Sequence, residues 1–135
     1  MNTEINSKIE HILRNAHVYA VVGLSSNPSR TSYRIASDLI EHGRTVVPVN
    51  PAIEQWQDRK CYPDLKSIPV AVDVVNIFRR SEFVSDIVDE AIAINAKVVW
   101  MQIGVIDEAA AERALSAGLD VVMDRCISIE MASME

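Results

Sequence analysis

The sequence predicts an α/β fold: a three-layer, doubly wound parallel sheet of five strands in a single domain. Short β-branched runs alternate with segments of helical periodicity along the chain, the pattern of strand-helix-strand crossovers. The strand-like runs are apolar on both faces, as strands covered by helices on either side must be. In addition, Val18–Val22 breaks on Gly23 into a small polar loop that leads into an amphipathic helix, which is how a doubly wound unit begins.

Taken in order, Thr3 can cap a first helix whose Ile5, Ile9, Ile12 and Leu13 share one face, so residues 1–16 form an N-terminal helix packed on the domain. The first strand is Val18–Val22. A helix over about 32–42 places Ile35, Leu39 and Ile40 on one stripe and stops at Gly43. Thr45–Val49 is the second strand. Pro51, Pro63 and Pro69 then punctuate a crossover with room for short helical turns around Gln55 and Asp64, because each proline removes a donor and restricts its predecessor. Residues 72–78 form the third strand, and Ser81 caps a helix that turns Val84, Ile87, Val88 and Ala91 inward. Residues 97–102 make the fourth strand, Asp107 starts an alanine-rich helix ended by Gly118, and residues 120–123 make the fifth. Right-handed crossovers lead to the expected strand order 3-2-1-4-5, with no linker, repeat or low-complexity tract in residues 1–135.

Composition narrows the function classes. The chain has 135 residues, 49% of them hydrophobic and 24% charged, enough for one packed core. No apolar run approaches the roughly 20 residues needed to cross a bilayer, and the first 15 residues are acidic and polar, unlike a secretion signal. A cytoplasmic protein away from membranes is expected. Cys61 and Cys126 are too few for a disulfide framework, and no Cys/His spacing or carboxylate cluster points to a metal. A net charge of −6 argues against nucleic acid, whose binding gains from a basic footprint.

In such a sheet a ligand lies beyond the carboxyl ends of the strands, where their order reverses. Residues 23–30 suit a phosphate there: Gly23 admits close backbone approach, Ser25, Ser26 and free N–H groups are neutral donors, and Arg30 is a charged one. The same serines can equally serve as helix caps. A dinucleotide fits poorly, because Gly23 is the loop's one glycine and the second strand ends in Asn50-Pro51 where a ribose-binding carboxylate is wanted. A Walker loop is excluded by the lack of a Gly-Lys-Ser/Thr sequence. Trp100, inside an apolar strand, reads as core, and Gln102 and Gly104 read equally as a turn. Cys126 has no histidine placed near it by any motif, so no catalytic residue is assigned.

Seven short motifs fall in order at these strand ends: Gly23-Leu24-Ser25-Ser26-Asn27-Pro28, Pro48-Val49-Asn50-Pro51, Lys60-Cys61-Tyr62-Pro63, Val72-Asp73, Ile77-Phe78-Arg79, Val99-Trp100-Met101-Gln102-Ile103-Gly104 and Asp124-Arg125-Cys126. Through them the chain after His17 resembles the single-domain CoA-binding proteins. These are similar in turn to the CoA-binding Rossmann domain of the succinyl-CoA synthetase α-subunit and of ADP-forming acyl-CoA synthetases. The resemblance implies a stand-alone Rossmann-like module that binds coenzyme A or an acyl-CoA non-covalently, with no catalysis of its own. It implies a diphosphate cradle at Gly23, Leu24, Ser25, Ser26, Asn27, Pro28 and Arg30, and an adenine wall at Val49, Asn50, Pro51 and Ala52, where the Asn50 amide would bond base or ribose. Phe78 and Arg79 would line the neighbouring edge, and Met101, Gln102 and Gly104 the exit of the pantetheine arm.

The sequence departs from the family pattern at Ala52 and Ile53, where many relatives carry a basic residue, and at Asp58, usually glycine. Both bear on the 3′-phosphate, for which Arg59, Lys60 or Arg79 would have to compensate. Two other function classes stand beside this one: a small enzyme or regulator using NAD(P) or ATP, and an interaction domain with a degenerate pocket. Association with a second copy or a partner enzyme is left open by the sequence.

Overall fold

Pro48 sets the layout of the sheet. In the computed structural model, which describes residues 3–134, the elements run α1 (Thr3–Asn15), β1 (Val18–Val22), α2 (Thr31–Glu41), β2 (Thr45–Val49), β3 (Gln55–Trp56), β4 (Arg59–Lys60), β5 (Val74–Ile77), α3 (Val84–Ala93), β6 (Val98–Met101), α4 (Glu108–Ser116), β7 (Asp120–Val122) and α5 (Ile127–Ala132). Five parallel strands pair in the order β2-β1-β5-β6-β7. The fold class is as the sequence predicts, but the expected order 3-2-1-4-5 is not: the third long strand, β5, lies beside β1, in register from Tyr19↔Val74 to Val22↔Ile77.

The reason is local. The Pro48 carbonyl points outward and accepts from Tyr62 N at 2.9 Å, so the side of β2 that would serve an outer neighbour has no N–H at this residue. A proline with its vacant side outward belongs on an edge strand. Among the described residues only Tyr62 pairs there, its carbonyl accepting from Asn50 N at 2.9 Å, and the chain then crosses to the far side of β1.

Helices cover both faces. α3 and α4 pack Val84, Val88, Ala91, Ala110 and Ala114 on Val75, Ile77, Val99 and Met101. α1, α2 and α5 pack Ile9, Leu13, Ile35, Leu39 and Ile127 on Tyr19, Val21, Val74 and Trp100. Successive strand residues thus alternate between two cores, which is why the strands read as continuous apolar runs. Arg44 fastens α1 by donating to the Leu13 carbonyl, and to His42 O at 2.7 Å. The cap expected from the Thr3 side chain lies outside the described residues. No helix among them is long and apolar enough to cross a membrane.

Other details differ from the sequence reading. Gln55 starts a hairpin where the sequence predicts a helical turn, since Gln57 and Asp58 take positive φ (47° and 62°) and close a two-residue turn. A 3-10 turn does form at Leu65–Ser67, capped by Asp64. Ser81 does not cap α3: a 3-10 turn, Ser81–Phe83, intervenes, and the Ser81 hydroxyl accepts from Ile106 N at 2.9 Å. Asp107 caps α4 as expected, accepting from Ala110 N. The short α5 has no counterpart in the sequence reading.

The expected strand 72–78 shortens to Val74–Ile77 because Asp73 turns its carboxylate onto the start of β1, where Oδ2 accepts from His17 N and Val18 N at 2.9 Å each. Burial works against that charge, but the two N–H groups and the Lys97 ammonium, 3.5 Å away, outweigh it and hold the Asp73 carboxyl below its ordinary value. The stabilisation is therefore complete above the ordinary carboxylate value of about 3.8 and is lost as pH falls through the lower folded value. Asp73→Asn should cost about 1 kcal/mol at pH 7, the difference between charged and neutral hydrogen bonds. Urea denaturation at pH 7 and at successively lower pH checks this, with the gap between the two proteins narrowing once pH falls below about 3.8.

Candidate functional site

β1 hands the chain to α2 on one face of the sheet, while its neighbour β5 hands it to α3 on the other. The crevice between their carboxyl ends is the switch point at which such sheets take ligands. Gly23 stands there at φ +85°, donating to Val49 O at 2.9 Å, and a Cβ on it would lie 2.7 Å from the Phe78 carbonyl oxygen and 2.9 Å from Arg79 Cδ. Glycine is thus demanded twice at this residue, by dihedral angle and by close approach.

The loop after Gly23 is held from within. Leu24 is fully buried in the α2 core, and Ser25 N donates to Ser32 Oγ at 3.0 Å. Asn27 Oδ1 accepts from Ser29 N and Ser29 Oγ, and Trp56, on the β3–β4 hairpin, donates from its indole to Ser25 O at 3.1 Å. Trp56 meets Tyr33 edge-to-face at 5.0 Å, so the hairpin clamps the loop to α2. None of these serines caps the helix: the N-cap is Arg30, which makes no side-chain cap bond, and the first turn carries no acidic residue. Among the described residues nothing caps the N–H groups of that turn, which with the positive end of the helix dipole are left open.

Three cavities join along the rim. One, of about 440 Å³, opens on the start of α2 between Gly23, Ser25, Arg30 and Thr31. A second, of about 400 Å³, extends toward α3, with Val22, Val49, Pro51, Leu65 and Ile87 as its apolar walls and Asp64, Asp86 and Glu90 on its rim. The third, also about 400 Å³, lies between Phe78 and Gly104 and reaches Cys126. Gly23 borders the first two, Phe78 the first and third, and Arg79 the second and third. The Arg79 guanidinium stacks 4.3 Å over the Phe83 ring, and neither it nor Arg30 has an ion-pair partner among the described residues.

Several residues singled out from sequence thus border the groove: Gly23, Ser25, Arg30, Val49, Asn50, Pro51, Phe78, Arg79, Gln102 and Gly104. Leu24, Ser26, Asn27, Pro28, Ala52 and Met101 do not line these cavities, and Met101 is fully buried in the α3 core. Asn50 serves the structure itself: Nδ2 donates to Leu24 O at 2.9 Å and Oδ1 accepts from Ala52 N at 2.8 Å, tying the end of β2 to the loop after β1. Gln102 likewise turns inward, its Oε1 accepting from Asn76 Nδ2 at 3.1 Å and Ile127 N at 3.0 Å. Gly104 N donates to Asp124 Oδ1 at 2.7 Å. Trp100 is core, donating to Arg125 O. Sequence reasoning missed Asp64, Asp86 and Glu90, which meet only because the crossover folds back along β2.

A family model described as "CoA binding domain" matches residues 17–132. The uncharacterized protein YneT of Bacillus subtilis is 36% identical over 132 residues, 98% of each chain. A hypothetical protein from Pyrococcus horikoshii OT3, of known structure, superposes with a TM-score of 0.92 at 37% identity, covering 95% of this chain and 90% of that one. The alpha subunit of an ADP-forming acetate–CoA ligase II of Pyrococcus furiosus is 38% identical over 66 residues, 48% of this chain and 14% of that protein.

Proposed function

The chain belongs to the CoA binding domain family, and on that premise we propose that the groove binds coenzyme A or an acyl-CoA non-covalently. The observation that carries the proposal is the uncapped start of α2, where free N–H groups and the unpaired Arg30 face a cavity against Gly23. The diphosphate sits there, held by local donors against an overall charge of −6. Adenosine occupies the cavity toward α3, whose apolar walls suit a flat ring, and the pantetheine arm runs past Phe78 toward Gly104. The ligase-subunit similarity supports this reading. The proposal includes no catalytic step, and no histidine lines the groove among the described residues.

A thermal-shift panel of CoA, dephospho-CoA, acetyl-CoA, NAD and ATP tests it. A ligand at about 100 times its Kd adds roughly 2.7 kcal/mol, a shift of several degrees for a domain of this size. A shift with NAD or ATP and none with the pantetheine compounds overturns the reading, and no shift at all favours an interaction domain. Arg30→Ala should weaken CoA by about 1.5–3 kcal/mol, the strength of a charged hydrogen bond, with no loss of melting temperature in the free protein because Arg30 is exposed and unpaired. Calorimetric titration checks this, and unchanged affinity removes Arg30 from the site.

A further inference from the structure

We propose that the adenosine end of the groove selects a ribose with a free 3′-hydroxyl, so that dephospho-CoA binds in preference to CoA; this rests on reading the groove as a CoA site. The cavity toward α3 brings three carboxylates, Asp64, Asp86 and Glu90, to a space with one cation, Arg79. Asp64 accepts from Ser67 N at 2.9 Å and Ser67 Oγ at 2.7 Å, and these bonds keep it ionised. Glu90 accepts from Leu65 N at 3.1 Å, which fixes its carboxylate at the rim. Asp86 is exposed and has no hydrogen-bond or ion-pair partner among the described residues.

One guanidinium stands against these three carboxylates, and its neighbour Arg80, 5.4 Å over the Phe83 ring, is paired with Glu82 at 3.4 Å. Arg79 packs its Cδ against Gly23, where the diphosphate lies, and stacks its guanidinium on Phe83. Of the cations that could compensate, only Arg79 borders this cavity: Arg59 donates to Gln57 O at 3.0 Å, Lys60 lies 5.3 Å from the Tyr62 ring, and Ala52 and Ile53 carry no charge. A ribose hydroxyl donates to a carboxylate, as it does in dinucleotide sites, whereas a phosphate dianion here meets three carboxylates against the one guanidinium of Arg79 and is repelled on balance. The three acids are not grouped so as to hold a metal ion that could bridge to a phosphate, among the described residues.

Calorimetric titration of ADP, dephospho-CoA and CoA into the protein and its Asp86→Asn/Glu90→Gln variant tests the inference. Dephospho-CoA should bind about tenfold tighter than CoA, and the double variant should bring the ratio to within about twofold of unity. Both replacements are isosteric, and the amide oxygen introduced by Glu90→Gln can still accept from Leu65 N; Asp86→Asn alone, at an exposed position, should move the ratio the same way if the pair unfolds. CoA binding as tightly as dephospho-CoA, or a ratio unchanged in both variants, overturns the proposal. ADP binding as tightly as dephospho-CoA would sink the CoA reading instead, since the pantetheine arm would then contribute nothing, while the CoA to dephospho-CoA ratio would still report on phosphate selection. No binding of any of the three sinks both.

Discussion

Gly23→Ala is expected to lower stability by about 2–5 kcal/mol and to abolish ligand binding. Holding a non-glycine residue at φ +85° costs roughly 1–2 kcal/mol in steric strain. The new methyl would lie 2.7 Å from a backbone oxygen, Phe78 O, which cannot rotate away, and overpacking of this sort adds about 1–3 kcal/mol. Relief requires β1 and β5 to part at their carboxyl ends, which moves the start of α2 and the groove with it. Gly43→Ala supplies the control, for Gly43 has φ +80° but nothing within 4 Å of an added Cβ. It should show the dihedral strain alone and leave binding intact. Chemical denaturation and CoA titration of both variants separate the two effects; Gly23→Ala as stable as Gly43→Ala would refute the close-approach argument.

Gln102→Leu should cost about 2–4 kcal/mol although it conserves volume. The Gln102 oxygen is the acceptor for two buried donors, Asn76 Nδ2 and Ile127 N, and each donor stranded without a partner costs roughly 1–3 kcal/mol. Asn76 is fully buried and its Oδ1 already has no partner, so it cannot turn to another group for compensation. The double variant Asn76→Leu/Gln102→Leu should recover part of the loss by removing the stranded amide altogether. A double-mutant cycle read by denaturation checks the coupling. Amide exchange should show α5 loosening first, because Ile127 opens that helix. A single variant within about 0.5 kcal/mol of the parent would show that the pair is energetically idle.

The elements that can be read from the sequence carry their own local cause. The strand ending at Gly23, the helix begun by Asp107 and the apolar stripe of α2 each follow from side-chain type and spacing within a few residues. The hairpin at Gln55, the 3-10 turn at Ser81–Phe83 and α5 are short, and too few residues contribute for periodicity to show. The site divides in the same way. Gly23 and Arg30 stand out because a loop between a strand and a helix has only one geometry to offer a phosphate. The family resemblance implies ligand roles for Asn50 and Gln102, each of which could equally belong to a turn; the fold uses both to tie adjacent segments together.

By itself the sequence determined the layers of this protein and the loop that can take a phosphate, since both rest on interactions between near neighbours in the chain. Tertiary structure alone decided the strand order, the uncapped first turn of α2 and the charge of the cavity toward α3. Pro48 carries its missing donor in any arrangement, but the side that faces outward is known only once Tyr62 has bonded to it. Asp64, Asp86 and Glu90 are ordinary surface acids until the crossover folds them around one cavity, because hydrogen bonding and charge act through space and the sequence records only distance along the chain.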